Sequence, residues 1–280
     1  MRWRTIVLLV LAFLFLFMIV FLIKYPSDHF PASPKTKLPA SPLTKKSTAE
    51  STLPPAGSGS PRAALIIDDL GYNLEAIEKI AAIGRPITVA ILPNAPVTEE
   101  SARRASAGGL EIMLHLPLES SENRAGKKAM EGTIFEGMPA GDIRAAVERS
   151  LAQIPGVRGV NNHTGSLATE DPAVMRTILD VLKAQGLYFI DSRTTNASVA
   201  FEEAERMRIP AAARQVFIDA EAGDEEIAAR LRELFRFAQK HGRAVGICHP
   251  KSETLAALAR QIHLADEYGV RLVFASEIVR

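Results

Sequence analysis

The chain has 280 residues, with 33 Lys and Arg against 32 Asp and Glu, a net charge of +1 at neutral pH. That balance argues against a nucleic-acid role, which favours a basic face. A single cysteine, Cys248, excludes an internal disulfide and a cysteine-based zinc finger.

The N-terminal part differs from the rest. Arg2 and Arg4 precede Ile6 to Ile23, roughly 18 residues without a charge, near the lower limit for a bilayer-spanning helix. A secretory signal has a shorter apolar core, about 7–15 residues, and a small-residue cleavage site. Here the exit is Lys24-Tyr25-Pro26. Residues 1–25 therefore read as an N-terminal transmembrane anchor in preference to a removed signal. The basic N-tail keeps the first residues in the cytoplasm, so the remainder is expected on the periplasmic or extracellular side of the cytoplasmic membrane. Residues 26–62 are rich in Pro, Ser, Thr and Lys, lack apolar periodicity, and read as a disordered linker. Residues 63–280 are ample for one domain with a full core.

Within that domain, Leu65-Ile66-Ile67 is an apolar run that ends in Asp68-Asp69-Leu70-Gly71. A helix is expected over 73–83, capped by Asn73 and stopped at Gly84, then a buried strand over 87–92. Thr98 caps a short helix that ends at Gly108-Gly109, and a strand over 111–116 carries His115. Residues 119–139 form a long polar loop, followed by an amphipathic helix over 142–154. A short strand over 157–160 leads into Asn161-Asn162-His163. Asp171-Pro172 opens a helix that closes at Gly186, and the strand over 187–190 ends in Asp191-Ser192-Arg193. A weaker helix over 199–207 precedes a strand over 215–218 that ends at Asp219. The helix over 225–241, the strand over 245–248 ending at His249-Pro250, the helix over 254–268 and a last strand over 271–275 complete the chain. About eight apolar strands alternating with helices predict a parallel α/β fold covered on both faces. A closed or nearly closed β/α barrel fits the repeat count, with an open doubly wound sheet as the runner-up.

Asp68, Asp69, His115, His163, Asp191, Asp219 and His249 all fall at or just past the C-terminal end of an expected strand, the rim where β/α barrels build active sites. Adjacent carboxylates after a buried strand are costly without a partner, and a cation is the obvious one. In this reading one carboxylate ligates a metal while its neighbour stays free as a general base. Asp with two His is a common set for zinc or another divalent metal. No Walker or dinucleotide glycine loop follows a strand, and no G-x-S-x-G elbow supports a serine hydrolase.

The order of these motifs resembles the divergent polysaccharide deacetylases within the carbohydrate esterase superfamily. The matching stretches are Ile66-Ile67-Asp68-Asp69-Leu70-Gly71, Gly109 to His115, Asn161 to Ser166, Asp191-Ser192-Arg193 and Gly246 to Pro250. The resemblance implies a distorted seven- or eight-stranded β/α barrel with a divalent metal, zinc foremost, at the strand ends. It implies Asp68 as base and Asp69 as metal ligand. One departure is plain: the well-characterised deacetylases pair two histidines four residues apart, and the second position here is Glu119. Either His163 supplies the missing ligand, with Glu119 as a candidate substitute, or the site is altered or lost.

The expected assignment is therefore Asp69, His115 and His163 to the metal, Asp68 to the base and His249 to the acid that protonates the leaving amine. Asn161, Asn162, Asp191 and Arg193 are expected to bind substrate or orient these groups. The expected reaction is deacetylation of an N-acetylated cell-envelope polysaccharide. Its rivals are a non-catalytic envelope module that binds glycan or protein, and a metallohydrolase acting on peptide crosslinks or esters.

Overall fold

The computed structural model describes residues 59–221 and 223–280. The expected anchor over 1–25 and the linker as far as residue 58 lie outside the described residues. Among the described residues no helix is long and apolar enough to cross a membrane. Arg62, expected as the last linker residue, is the first residue of a strand.

In chain order the elements are β1 (Arg62–Leu70), α1 (Glu75–Ala82), β2 (Thr88–Ile91), α2 (Thr98–Ala107), β3 (Glu111–Leu118) and the one-turn α3 (Ser121–Arg124). Then come α4 (Ala140–Ala152), β4 (Gly159–Thr164), α5 (Pro172–Ala184), β5 (Tyr188–Asp191), α6 (Ala200–Arg206), β6 (Ala211–Ala213) and β7 (Val216–Phe217). The last are α7 (Asp224–His241), β8 (Arg243–Cys248), α8 (Ser252–Gln261), α9 (Leu264–Glu267) and β9 (Arg271–Val273). The expected Asn73 cap is present, its Oδ1 accepting from the Ala76 N–H at 3.0 Å. Asp171 caps α5 through the N–H groups of Ala173 and Val174, with Pro172 at its first position. The helix expected over 254–268 is two helices, broken at Ile262-His263.

All ladders are parallel, in the order β6-β5-β4-β3-β2-β1-β8-β7, with β9 on β1. The doubly wound alternative is thus replaced by a curled, open half-barrel. β9 pairs with Arg62 to Ala64 and β2 with Ile66 to Leu70, while β8 runs along Arg62 to Ile67. The sheet path ends at β6 and β7, which share no ladder. The peptide between them bridges the seam instead: Arg214 N–H donates to Asp191 O and Gln215 N–H to Val245 O, both at 2.9 Å.

Alternation along β1 divides the core in two. Leu65 and Ile67 pack outward beneath the helices with Ile77, Ile178, Leu231 and Leu258. Ala64 and Ile66 face the inside with Met113, Ile190, Val245 and Ile247, and the C-terminal Ala275 and Ile278 fill that interior. The period of two then assigns the polar strand ends to faces. Asp68, His115, Asn161, His163, Asp219 and His249 continue inward-facing rows, whereas Asp69 and Asp191 continue outward-facing ones.

Gly159 shows how tightly the interior closes. A Cβ there would lie 2.4–2.6 Å from the buried Tyr188 ring, whose hydroxyl donates to Glu111 at 2.8 Å. Gly159→Ala must displace that ring, and urea unfolding of the full-length chain is expected to show a loss of about 1–3 kcal/mol. An unchanged midpoint would refute this account of the packing.

Candidate metal centre

Asp69 should point outward by alternation, but its backbone is left-handed, with φ 55°. The β1–β2 register also shifts between Ile67 and Leu70. This kink turns the Asp69 side chain onto the face that carries His115 and His163, a local strain of the kind found at functional sites. Gly71 follows with φ 117°, where a Cβ would meet Ala95 at 2.9 Å, so the turn after the aspartates requires glycine.

Three donor atoms then converge. His163 Nδ1 lies 2.8 Å from Asp69 Oδ1, His115 Nε2 lies 3.2 Å from that oxygen, and the two nitrogens are 3.1 Å apart. His115 Nδ1 donates to Asn161 Oδ1 at 2.8 Å, which leaves its Nε2 lone pair facing the group. Lone pairs crowded this closely repel unless a proton or a cation lies among them. Asp69 Oδ1 is moreover buried without a hydrogen bond of good direction. Metal bonds of about 2.0–2.2 Å at angles near 90–110° hold neighbouring ligand atoms about 2.8–3.6 Å apart. The triangle fits a divalent ion as it stands, and these residues form one of two groups able to hold a metal among the described residues.

Asp68 and His249 flank this triangle. Asp68 Oδ2 is 3.7 Å from His115 Nε2, and Asp68 Oδ1 is 3.7 Å from His249 Nε2. Burial raises the Asp68 carboxyl above the ordinary range, against the charges of His115 and His249. Burial also works against ionisation of Asp69, but His115 and His163 outweigh it and hold that carboxyl well below the usual range. His115 is raised, burial being overcome by the two aspartates.

His249 is oriented by Asp219 rather than by Asp191. Its Nδ1 donates to Asp219 Oδ1 at 3.1 Å, and its backbone N–H donates to Asp219 Oδ2 at 3.1 Å. Thr254 and Lys251 hold the same carboxylate. The Asp219 hydrogen bond raises the imidazole's pKa, opposed by burial and assisted by Asp68. Phe217 packs edge-on against the ring, with centroids 5.2 Å apart.

Of the remaining expected residues, Asp191, Arg193 and Glu119 are held by groups outside the triangle. Asp191 continues the outward row of β5 and accepts from Ser198 Oγ and the Arg193 N–H, both at 2.8 Å. Arg193, with φ 49°, turns back onto Asp191, Ser198 O and Glu202, so its guanidinium braces its own loop. Asn161 and Asn162 orient: the first donates to Ser192 Oγ at 3.2 Å while fixing His115, and the second accepts the Ser192 N–H at 2.8 Å. Glu119 stays out of the metal group. Its carboxylate accepts from Arg124 and, at 2.9 Å, from the Glu136 N–H, which pins the long loop.

A family model described as divergent polysaccharide deacetylase matches residues 65–279. The chain is 32% identical to an uncharacterized protein of Haemophilus influenzae over 197 residues, covering 70% of this chain and 69% of the relative. It is 27% identical to YibQ of Escherichia coli K12, covering 72% of this chain and 62% of that protein. The crystal structure of the uncharacterized protein ATU2773 from Agrobacterium tumefaciens superposes with a TM-score of 0.74, at 24% identity, over 81% of this chain and 92% of that one. That structure shares the fold.

Because Asp219 supports the protonated His249, Asp219→Asn is expected to lower the imidazole's pKa in the metal-free chain. An NMR titration of the His249 ring reads this directly, and an unchanged or higher value would refute the assigned pairing.

Proposed function

The chain belongs to the divergent polysaccharide deacetylase family, and we propose that it is a metal-dependent hydrolase that deacetylates an N-acetylated cell-envelope polysaccharide. The observation that carries this reading is the convergence of Asp69, His115 and His163 between a buried carboxylate and a braced imidazole. An interior kept only as a binding surface has no use for that expensive grouping of charges. The apolar stretch over 6–23 supports action at the membrane, on its envelope side.

Asp69, His115 and His163 would hold the ion, zinc foremost, which when bound lowers the pKa of a water and polarises a carbonyl oxygen. Asn161 keeps His115 in the tautomer whose Nε2 is free to hold the ion. Asp68 takes a proton from the attacking water as its oxygen bonds to the acetyl carbon. A carboxyl raised by burial is the stronger base for that step. His249 Nε2 then gives its proton to the amide nitrogen as the C–N bond breaks, releasing acetate and a free amine. Asp219 balances the imidazolium charge and holds the ring so that Nε2 points inward.

The test is metal content of the full-length chain in nonionic detergent, followed by acetate release from N-acetylglucosamine oligomers. About one bound metal per chain is expected, lost in His115→Ala and His163→Ala. Asp68→Asn should keep the metal and lower the turnover rate by about 10²–10⁴-fold. A folded chain that binds no added zinc and releases no acetate would leave the binding-module reading in its place.

A further inference from the structure

The metal triangle uses only one oxygen of Asp69. The other, Oδ2, lies 3.7 Å from His249 Nε2, at the same distance from that nitrogen as Asp68 Oδ1. One ligand atom from each of Asp68, Asp69 and His249 lies within 4.8 Å of the other two, and these residues form the second group able to hold a cation. Asp68 is only 4% exposed, and its Oδ1 is buried with no hydrogen-bond partner. Its orphaned oxygen is thus directed at the remaining nitrogen of a histidine already fixed from behind by Asp219. A carboxylate behind a histidine is the arrangement that orients a metal-ligating imidazole.

We infer that Asp68, Asp69 and His249 form a second, weaker divalent-cation site that shares the Asp69 carboxylate with the first and shuts off proton transfer when filled. The inference rests on the proposed reading of the first site. Two features rank the sites. The first triangle has edges of 2.8, 3.1 and 3.2 Å, already those of ligands around one ion. The second has edges of 3.7 Å to His249 and must contract or accept a wider angle. A first dication also repels a second, although carboxylate-bridged pairs about 3.5–4 Å apart are well tolerated. Asp219, at 3.1 Å from His249, holds the ring in place behind the site, its charge shared with Lys251 at 3.4 Å.

The consequence follows from which groups the second ion occupies. Asp68 bound to a cation no longer accepts a proton, and His249 bound through Nε2 has none to give. Hydrolysis therefore requires the first site filled and the second empty, so surplus metal inhibits.

Isothermal titration of the chelator-stripped, full-length chain in nonionic detergent with zinc chloride tests this. Two binding events are expected, the second at least tenfold weaker. His249→Gln should abolish the second and leave the first. Asp219→Asn, which keeps every ligand and removes the negative charge behind the ring, should weaken the second about tenfold without moving the first. A single event in the unmodified chain, or a second event that survives in both variants, overturns the inference and leaves the proposed function standing. No zinc binding at all overturns both.

Discussion

The structure depends on the cost of ending a buried strand in two carboxylates. Taking a carboxylate out of water costs several kcal/mol even after relaxation, and Asp68 and Asp69 sit side by side at the end of β1. What offsets that cost comes from three other strands: His115 from β3, His163 from β4 and His249 just past β8. In the sheet order β4 is three strands from β1. At about 4.8 Å per strand, a flat sheet would set them about 14 Å apart, too far for an aspartate and an imidazole to meet. They meet at 2.8 Å because the sheet curls. The curvature of the half-barrel and the existence of the site are therefore one fact, and the interior residues that fill the curl, Tyr188 and the C-terminal Ala275 and Ile278, support the chemistry from below.

Much of this was legible in the sequence, because strand ends are legible. Apolar runs that stop abruptly at Asp or His placed the charged groups along one rim without any knowledge of which strands are neighbours. Partnership was not legible. That Asp219 braces His249 depends on β7 lying beside β8, and nothing local in either segment states it. Asp191 and Arg193 looked like site residues because they follow a strand. Parity along β5 turns Asp191 outward, and the left-handed Arg193 folds its guanidinium back onto it. Parity can be counted from sequence, but which parity faces inward requires the packing of Ala64 and Ile66 against Met113 and Val245.

Asp69 is the opposite case. Its parity says outward and its contacts with His115 and His163 say inward, and the positive φ reconciles the two. Propensity missed β6 because Ala211-Ala212-Ala213 has no β-branched or aromatic residue; pairing to β5 makes it a strand. The same limit explains the helix pair α8 and α9, where a continuous apolar pattern gave no sign of the break at Ile262-His263.

The change from histidine to Glu119 has a geometric reading. In the β3–β4 ladder His163 stands opposite Pro117, two residues beyond His115 on an inward-facing row. With His115 and Asp69 it makes a group of three donors able to hold a metal. Glu119 is thereby free for another task, accepting the Glu136 N–H and pairing with Arg124. Beside it, Ile134 bridges to Leu118 and the Asn94 side chain donates to Glu131 O. The long polar loop is thus fastened to the rim next to the metal group, and the residue that departs from the family pattern is one of its fastenings. A lost ligand would have left Asp69 and His115 without a third donor. The close approach of His163, 2.8 Å from Asp69 and 3.1 Å from His115, gives the group that third donor.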